Sequence, residues 1–276
     1  MNANLAPRAG TVAARLPAAP LAAAAGDRAS ARRLGGAGVD VVVAYHSSPL
    51  RRRGLPSVSG LLPWCNANEM TLRILPEIAA AVSQPVFATV CANDALRPAA
   101  TVVAEMACLG AHGVLNAPTV GLLTGPVREA LEDAGLGFQR EVDLMACARA
   151  RGLRAWGYAF SARQAEALAQ AGAEAVIAHL GITGFGPSAA QAADDLAAIA
   201  TAARAANPGI RVLAHGCPLR DPATFTAMCA AAGGLPAIRC GFFGASVFDH
   251  ASSISQAVRV WRAALAPAGP GREQRP

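Results

Sequence analysis

Residues 174–216 read EAVIAHLGITGFGPSAAQAADDLAAIATAARAANPGIRVLAHG. Two short apolar runs, 175–179 and 211–215, flank an alanine-rich amphipathic stretch at 189–206. A short run, a helix-length segment and a second short run form the pattern of one strand–helix–strand unit of a parallel sheet.

The same alternation extends both ways along the chain. Apolar runs at 21–25, 39–45, 86–91, 113–116, 154–158 and 238–241 join the first two to make eight expected strands. Helices are expected at 28–34, 71–83, 99–109, 141–151, 161–171, 222–231 and 254–265, besides 189–206. Eight strands alternating with eight helices close a (β/α)8 barrel more naturally than they fill an open doubly wound sheet. A chain of 276 residues suits one such barrel, here expected over 20–266, with disordered tails at 1–19 and 267–276.

Connections are unequal. The stretch 46–68 lacks clear periodicity, and the loops after the fourth and sixth runs are long and carry glycine, whereas the returns at 110–112 and 172–174 are tight. The working face is therefore expected at the carboxyl ends of the strands.

Composition excludes several classes. No apolar run approaches the roughly 20 residues needed to cross a bilayer. Seven cysteines, at 65, 91, 108, 147, 217, 229 and 240, form no CxxC pair, so neither a disulfide framework nor a structural zinc site is expected, and a reducing cytoplasm fits. The formal charge of +6 comes from arginine alone, spread along the chain except at 51–53, and no nucleic acid is expected as a partner. With no lysine, Schiff-base chemistry on a lysine amine is excluded.

Candidate site residues follow from the strand ends. His179 and His215 close neighbouring strands, where two imidazoles suit a general acid and base pair or two metal ligands. Asn116 and Thr119 follow the fourth strand, where a carboxamide and a hydroxyl orient a carboxylate or polarise a carbonyl. Asn116 serves equally as a turn cap. Gly216 follows the seventh strand, and Gly241, Gly244, Ala245 and Ser246 follow the expected eighth, where barrels seat a phosphate on backbone N–H groups; tight packing of the turn is the alternative. Arg51 is a candidate movable clamp for an anion, or one member of a solvated charge run. Tyr45, Cys91 and Tyr158 end strands as pocket walls, with Tyr45 placed against substrate. Asp94 is either a helix cap or a hard ligand for a divalent metal. Glu69, three residues after Asn66, has capping-box spacing. His112 falls at the opposite barrel end.

Six segments carry a resemblance. GLLPWCNANEM (60–70), GVLNAPTVGLLTG (113–125), LEDAGLGFQREV (131–142), AHLGITG (178–184), AHGCP (214–218) and GFFGAS (241–246) resemble, in order, the phosphoenolpyruvate-hydrolase-like family of predicted TIM-barrel enzymes. The resemblance runs from about residue 20 to about 265. It implies the barrel fold and an enzymatic role; a related barrel forms one domain of a plant antiviral protein that binds a viral replication protein. The chain departs from the family pattern at Tyr45 to Arg51, at Cys91 to Ala95 and at Cys217, where a second glycine is usual.

Together these readings predict a homo-oligomeric enzyme acting on a small anionic carboxylate, free or phosphorylated, by hydrolysis or by bond cleavage beside a carbonyl. His179 and His215 handle protons, Asn116 and Thr119 orient the substrate, and 244–246 hold its anionic group. The rival readings are a non-haem iron oxygenase built on His179, His215 and Asp94, and a barrel that binds a ligand or protein without turnover.

Overall fold

Alternation along each run decides which side chains meet. In the computed structural model, which describes residues 15–62, 65–182, 185–233 and 239–266, eight parallel strands close on themselves in chain order, the last pairing with the first. The order is β1 (Leu21–Ala25), α1 (Arg28–Ala37), β2 (Val41–Ala44), α2 (Ser48–Arg51), α3 (Ala67–Ala79), β3 (Val86–Val90), α4 (Ala99–Cys108), β4 (Gly113–Asn116) and α5 (Gly125–Asp133). It continues with α6 (Gln139–Arg149), β5 (Arg154–Ala159), α7 (Ala162–Gln170), β6 (Ala175–His179), α8 (Ala189–Ala206), β7 (Arg211–His215), α9 (Pro222–Ala231), β8 (Cys240–Gly244), α10 (Ser246–Asp249) and α11 (Ile254–Leu265). This is the expected (β/α)8 barrel.

Two cores result. Ala22 and Ala24, Val41 and Val43, Phe87, Leu115, Trp156 and Tyr158, Ala175 and Ile177, Leu213 and Phe243 point inward and fill the barrel. The intervening residues, such as Ala23, Val42, Ala88, Val114, Val176, Val212 and Phe242, face the helices. Strands buried on both faces read as continuous apolar runs, which is why the runs were visible in the sequence.

Helix starts are set by side-chain caps. Ser161, Ser188, Asp221 and Ser253 each accept the backbone N–H three residues on, opening α7, α8, α9 and α11. Asn66 accepts from Glu69 N at 3.0 Å and starts α3 earlier than expected, while the Glu69 carboxylate pairs with Arg97 rather than closing a capping box. The helix α5, not foreseen, has no buried residue, so it left no apolar stripe to read.

Strand eight corrects the expectation of 238–241. It runs Cys240–Gly244, and residue 238 lies outside the described residues. Its register with β1 pairs Leu21 with Phe242 and Ala23 with Gly244. Gly241 is thus inside the strand and not on the rim; a Cβ there would meet the Pro20 carbonyl oxygen at 2.4 Å. Phe242 stacks on Trp261 of α11 at 3.5 Å between ring centroids, anchoring the strand to its helix.

The tail expectation falls mostly on residues 1–14 and 267–276, outside the described residues. Leu16, in the described part, is buried with the inner core, and Arg211 donates to the carbonyls of Leu16 and Pro17, so packing begins before β1.

Candidate active site

Inward parity carries the histidines to the mouth. Positions 175, 177 and 179 of β6 and 211, 213 and 215 of β7 share the inward face, and the register sets His179 directly beside His215. Their rings lie 4.9 Å apart, edge to face. Tyr158 on β5 packs 5.1 Å from His179 and 5.2 Å from His215. Its hydroxyl lies 3.3 Å from that of Tyr45, one residue past β2. Phe160 stacks on His179 and Phe243 on His215, so apolar rings hold both imidazoles.

These groups line one cavity of about 610 Å³, counted to its open mouth, at the carboxyl ends of the strands. Tyr45, Arg51, Thr119, His179, His215, Gly216, Ala245 and Ser246, all expected at the site, are in its wall. No Asp or Glu among the described residues lines it.

Burial fixes the charge state. His215 is lowered to about 4, chiefly by desolvation and also by the Arg51 charge, and His179 lies well below its usual 6.5 through desolvation and the neighbouring His215. Both are neutral at pH 7. His215 Nδ1 lies 2.8 Å from the Phe243 carbonyl oxygen, which only accepts, so Nδ1 carries the proton and Nε2 is left as the basic atom. Gly181 N–H approaches His179 Nδ1 at 3.4 Å, a long contact that favours the proton on Nε2. The pair thus presents one acceptor and one donor. Tyr45 and Tyr158 are raised by burial and stay protonated.

Arg51 corrects the reading of a movable or solvated arm. It is 3% exposed. Nε donates to Asp249 of α10 at 2.6 Å, Nη1 to Ser47 at 2.7 Å and Nη2 to Ser48 at 2.6 Å, with the guanidinium over the Tyr45 ring. The site's cation is therefore rigid.

Asn116 does not reach the cavity. It shares the outward parity of Val114, and its carboxamide is engaged there: Nδ2 donates to Glu141 at 2.5 Å and Oδ1 accepts from Tyr158 N at 2.6 Å. It holds the strand under Tyr158 instead of touching substrate. Gly244 also sits behind the wall, where a Cβ would meet Phe248 at 2.3 Å, so packing explains that glycine while Ala245 and Ser246 face the cavity. Gly216 has φ +93°, and a Cβ would meet the Gly181 carbonyl oxygen at 2.2 Å, so only glycine lets the two loops close together.

Asp94 caps no helix and holds no site. Its oxygens accept from Leu96 N, Arg97 N and Asn68 Nδ2. Among the described residues no group of three His, Cys, Asp or Glu is arranged to hold a metal, so the His179, His215 and Asp94 triad of the rival oxygenase reading does not assemble. Cys91 stands at its strand end outside the cavity wall, with burial pushing its thiol up to about 11. His112 sits at the start of β4, at the far end, as expected.

Three residues were missed. His46 lines the cavity, stacks 5.2 Å from Tyr45 and is lowered to about 3 by burial. Ser47 faces the cavity and fixes Arg51. Glu141, fully buried in the first turn of α6, accepts from Val120 N at 2.8 Å and from Thr119 and Asn116, and burial raises it to about 7. Its place in LEDAGLGFQREV was the available signal, since a carboxylate on the inner face of a helix needs donors.

Comparison with known proteins agrees with this architecture. Residues 15–262 match the model of the family described as phosphoenolpyruvate hydrolase-like. The chain belongs to this family. Among curated relatives, the ToMV susceptible protein tm-1(GCR26) and the ToMV resistance protein Tm-1(GCR237) of Solanum lycopersicum are each 36% identical over 238 residues. The aligned part is 83% of this chain and 31% of each relative, so the chain spans about a third of their length. A putative transcriptional regulatory protein, y4pA, of Sinorhizobium fredii is 32% identical over 163 residues, 58% of this chain and 26% of that protein. A phosphonopyruvate hydrolase solved with oxalate and Mg++ superposes with TM-score 0.55 at 15% identity, over 90% of this chain and 79% of that one. At that identity the likeness is one of fold. No helix among the described residues is long and apolar enough to cross a membrane.

Proposed function

We propose that this family member is an enzyme acting on a small anionic carboxylate, free or phosphorylated, by hydrolysis or by bond cleavage beside a carbonyl. The observation that carries the reading is the His179–His215 pair, set side by side in a cavity whose wall, among the described residues, has one fixed guanidinium and no carboxylate.

Binding follows from charge. An anion entering a cavity with no Asp or Glu among its described wall residues meets Arg51 and the hydroxyls of Tyr45, Thr119 and Ser246. Asp249 balances Arg51, which keeps the cation ordered and matches the site to an acid of small charge. Proton transfer follows from the tautomers. His215 Nε2 takes a proton from water or from a carbon beside the substrate carbonyl, and His179 Nε2–H gives one to the departing oxygen or carbon. The anion raises both imidazole pKa values toward neutrality, where acid and base help is most effective. Family membership and the name of the phosphonopyruvate hydrolase neighbour support this substrate class.

A release assay for pyruvate and phosphate across 2-oxo, phosphono and enol-phosphate acids tests the reading. His179→Asn and His215→Asn should each lower the rate about a hundredfold or more while leaving the fold intact, the scale for losing acid or base help. The double variant should be little worse than the poorer single one, because groups sharing a step lose their joint contribution once. Two folded variants with unchanged rates would overturn the assignment. Saturable binding with no turnover of any acid would favour the binding-module reading, for which the virus-related names of the tomato relatives speak.

A further inference from the structure

The opposite end of the barrel carries a second charged hollow. At the amino-terminal face, Arg15, Arg204, Arg211 and Arg239 surround an open depression of about 1340 Å³, with Leu16 and Pro208 among the remaining wall. No Asp or Glu lines it among the described residues. The four arginines come from four places: the segment before β1, the last turn of α8, the first residue of β7 and the residue preceding β8.

Part of this cluster is built. Arg211 donates Nε to the Pro17 carbonyl and Nη2 to the Leu16 carbonyl, both at 2.9 Å, and Nη1 to Glu174 at 2.8 Å. Glu174 also takes Arg154, so one carboxylate is shared between two guanidinium groups. Arg204 holds its proton less tightly than usual, first through burial and also because Arg239 stands near. Arg239 takes φ +42°, in the left-handed region that disfavours a side-chain-bearing residue.

Repulsion between Arg204 and Arg239 and the disfavoured backbone conformation of Arg239 both cost stability, and the amino-terminal face of a barrel ordinarily serves stability. An anion seated among the four would offset the repulsion. We propose that this hollow binds a small, multiply charged anion, either a phosphate ester or a polycarboxylate, at a site separate from the mouth. Arg211, fixed by its backbone acceptors, orients the ligand, and Arg204 and Arg239 close on it from the α8 and β8 sides.

Titration calorimetry with pyrophosphate and with citrate, at matched ionic strength, tests this on the whole chain. One equivalent should bind, the tighter of the two naming the source of the charge. The affinity should fall about tenfold or more in Arg204→Gln/Arg239→Gln, since each charge-assisted contact is strong. Arg239→Gln alone, at an exposed position, keeps the test open if the double variant unfolds, and should weaken binding by a smaller factor. His215→Asn, at the other end, should leave the affinity unchanged. Binding insensitive to the arginine variants, binding lost in His215→Asn, no binding of either anion, or binding only of a short RNA would each overturn the proposal.

Discussion

At the scale of single residues, the site runs on groups kept neutral by burial. His215 and His46 fall to about 4 and about 3 in the folded chain, against an ordinary 6.5. Between those values and 6.5 the unfolded chain binds protons that the folded chain refuses, so stability rises with pH in that window. Glu141 works the other way. Its folded value of about 7 lies above the usual 4.5, so across that interval the folded chain holds a proton the unfolded chain has lost, and its contribution shrinks as pH rises. His179 is lowered too, and three imidazoles outweigh one carboxyl. The melting temperature should therefore climb from pH 4.5 to 6.5. Glu141→Gln removes the opposing group and should steepen the climb. A flat profile in thermal scans across that range would contradict the neutral histidines.

At the scale of elements, α6 and β4 are joined through Glu141. Its carboxyl gathers Asn116 of β4, Thr119 and Val120 N, fixing the turn that brings Thr119 into the cavity wall. Glu141→Ala leaves buried donors without acceptors and should cost roughly 2–3 kcal/mol, the scale of unsatisfied buried polar groups. Glu141→Gln keeps one acceptor but turns its amide N–H toward a donor, Val120 N or Asn116 Nδ2, and should cost about 1–2 kcal/mol. Urea unfolding checks both. The site residue Asn116 was legible as important and misread in role. Its strand end was visible in GVLN, but its parity was not used: Leu115 and Ala117 face the barrel, so 116 must face the helices. Glu141 was legible only through its segment, LEDAGLGFQREV, because a lone carboxylate does not show in sequence whether its helix turns it to solvent or to a loop.

At the scale of the whole molecule, Arg51 and Asp249 tie the loop after β2 to the helix after β8, on either side of the seam where β1 meets its two neighbours. Their side chains are 2% and 4% exposed. Asp249→Ala leaves a buried guanidinium without its counter-charge and should destabilise by about 3–5 kcal/mol. The paired change Arg51→Met/Asp249→Leu, which removes both charges, should cost far less or nothing in stability while abolishing anion binding at the mouth. Equal losses in the single and paired variants, measured by denaturant midpoint, would show that the ion pair is not what the site's cation depends on.

Periodicity favoured the barrel over an open doubly wound sheet, since eight short apolar runs separated by amphipathic stretches close one sheet more naturally than they fill an open one. Position at the carboxyl ends of neighbouring strands set His179 and His215 at one mouth, and the register of the closed barrel turned both inward. Six ordered segments placed the chain in its family. Tertiary structure decided what periodicity does not encode: that Arg51 is locked to a partner 198 positions away, that Asn116 and Gly244 serve packing, and that Asp94 stands apart from the histidines. Strand eight belonged there too, because its glycines look like a turn until Pro20 and Phe248 are seen to occupy the space a side chain would need. Local alternation is set by backbone geometry and survives in the sequence. Charge pairing and close approach are set by neighbours far along the chain, and become definite only when the barrel closes.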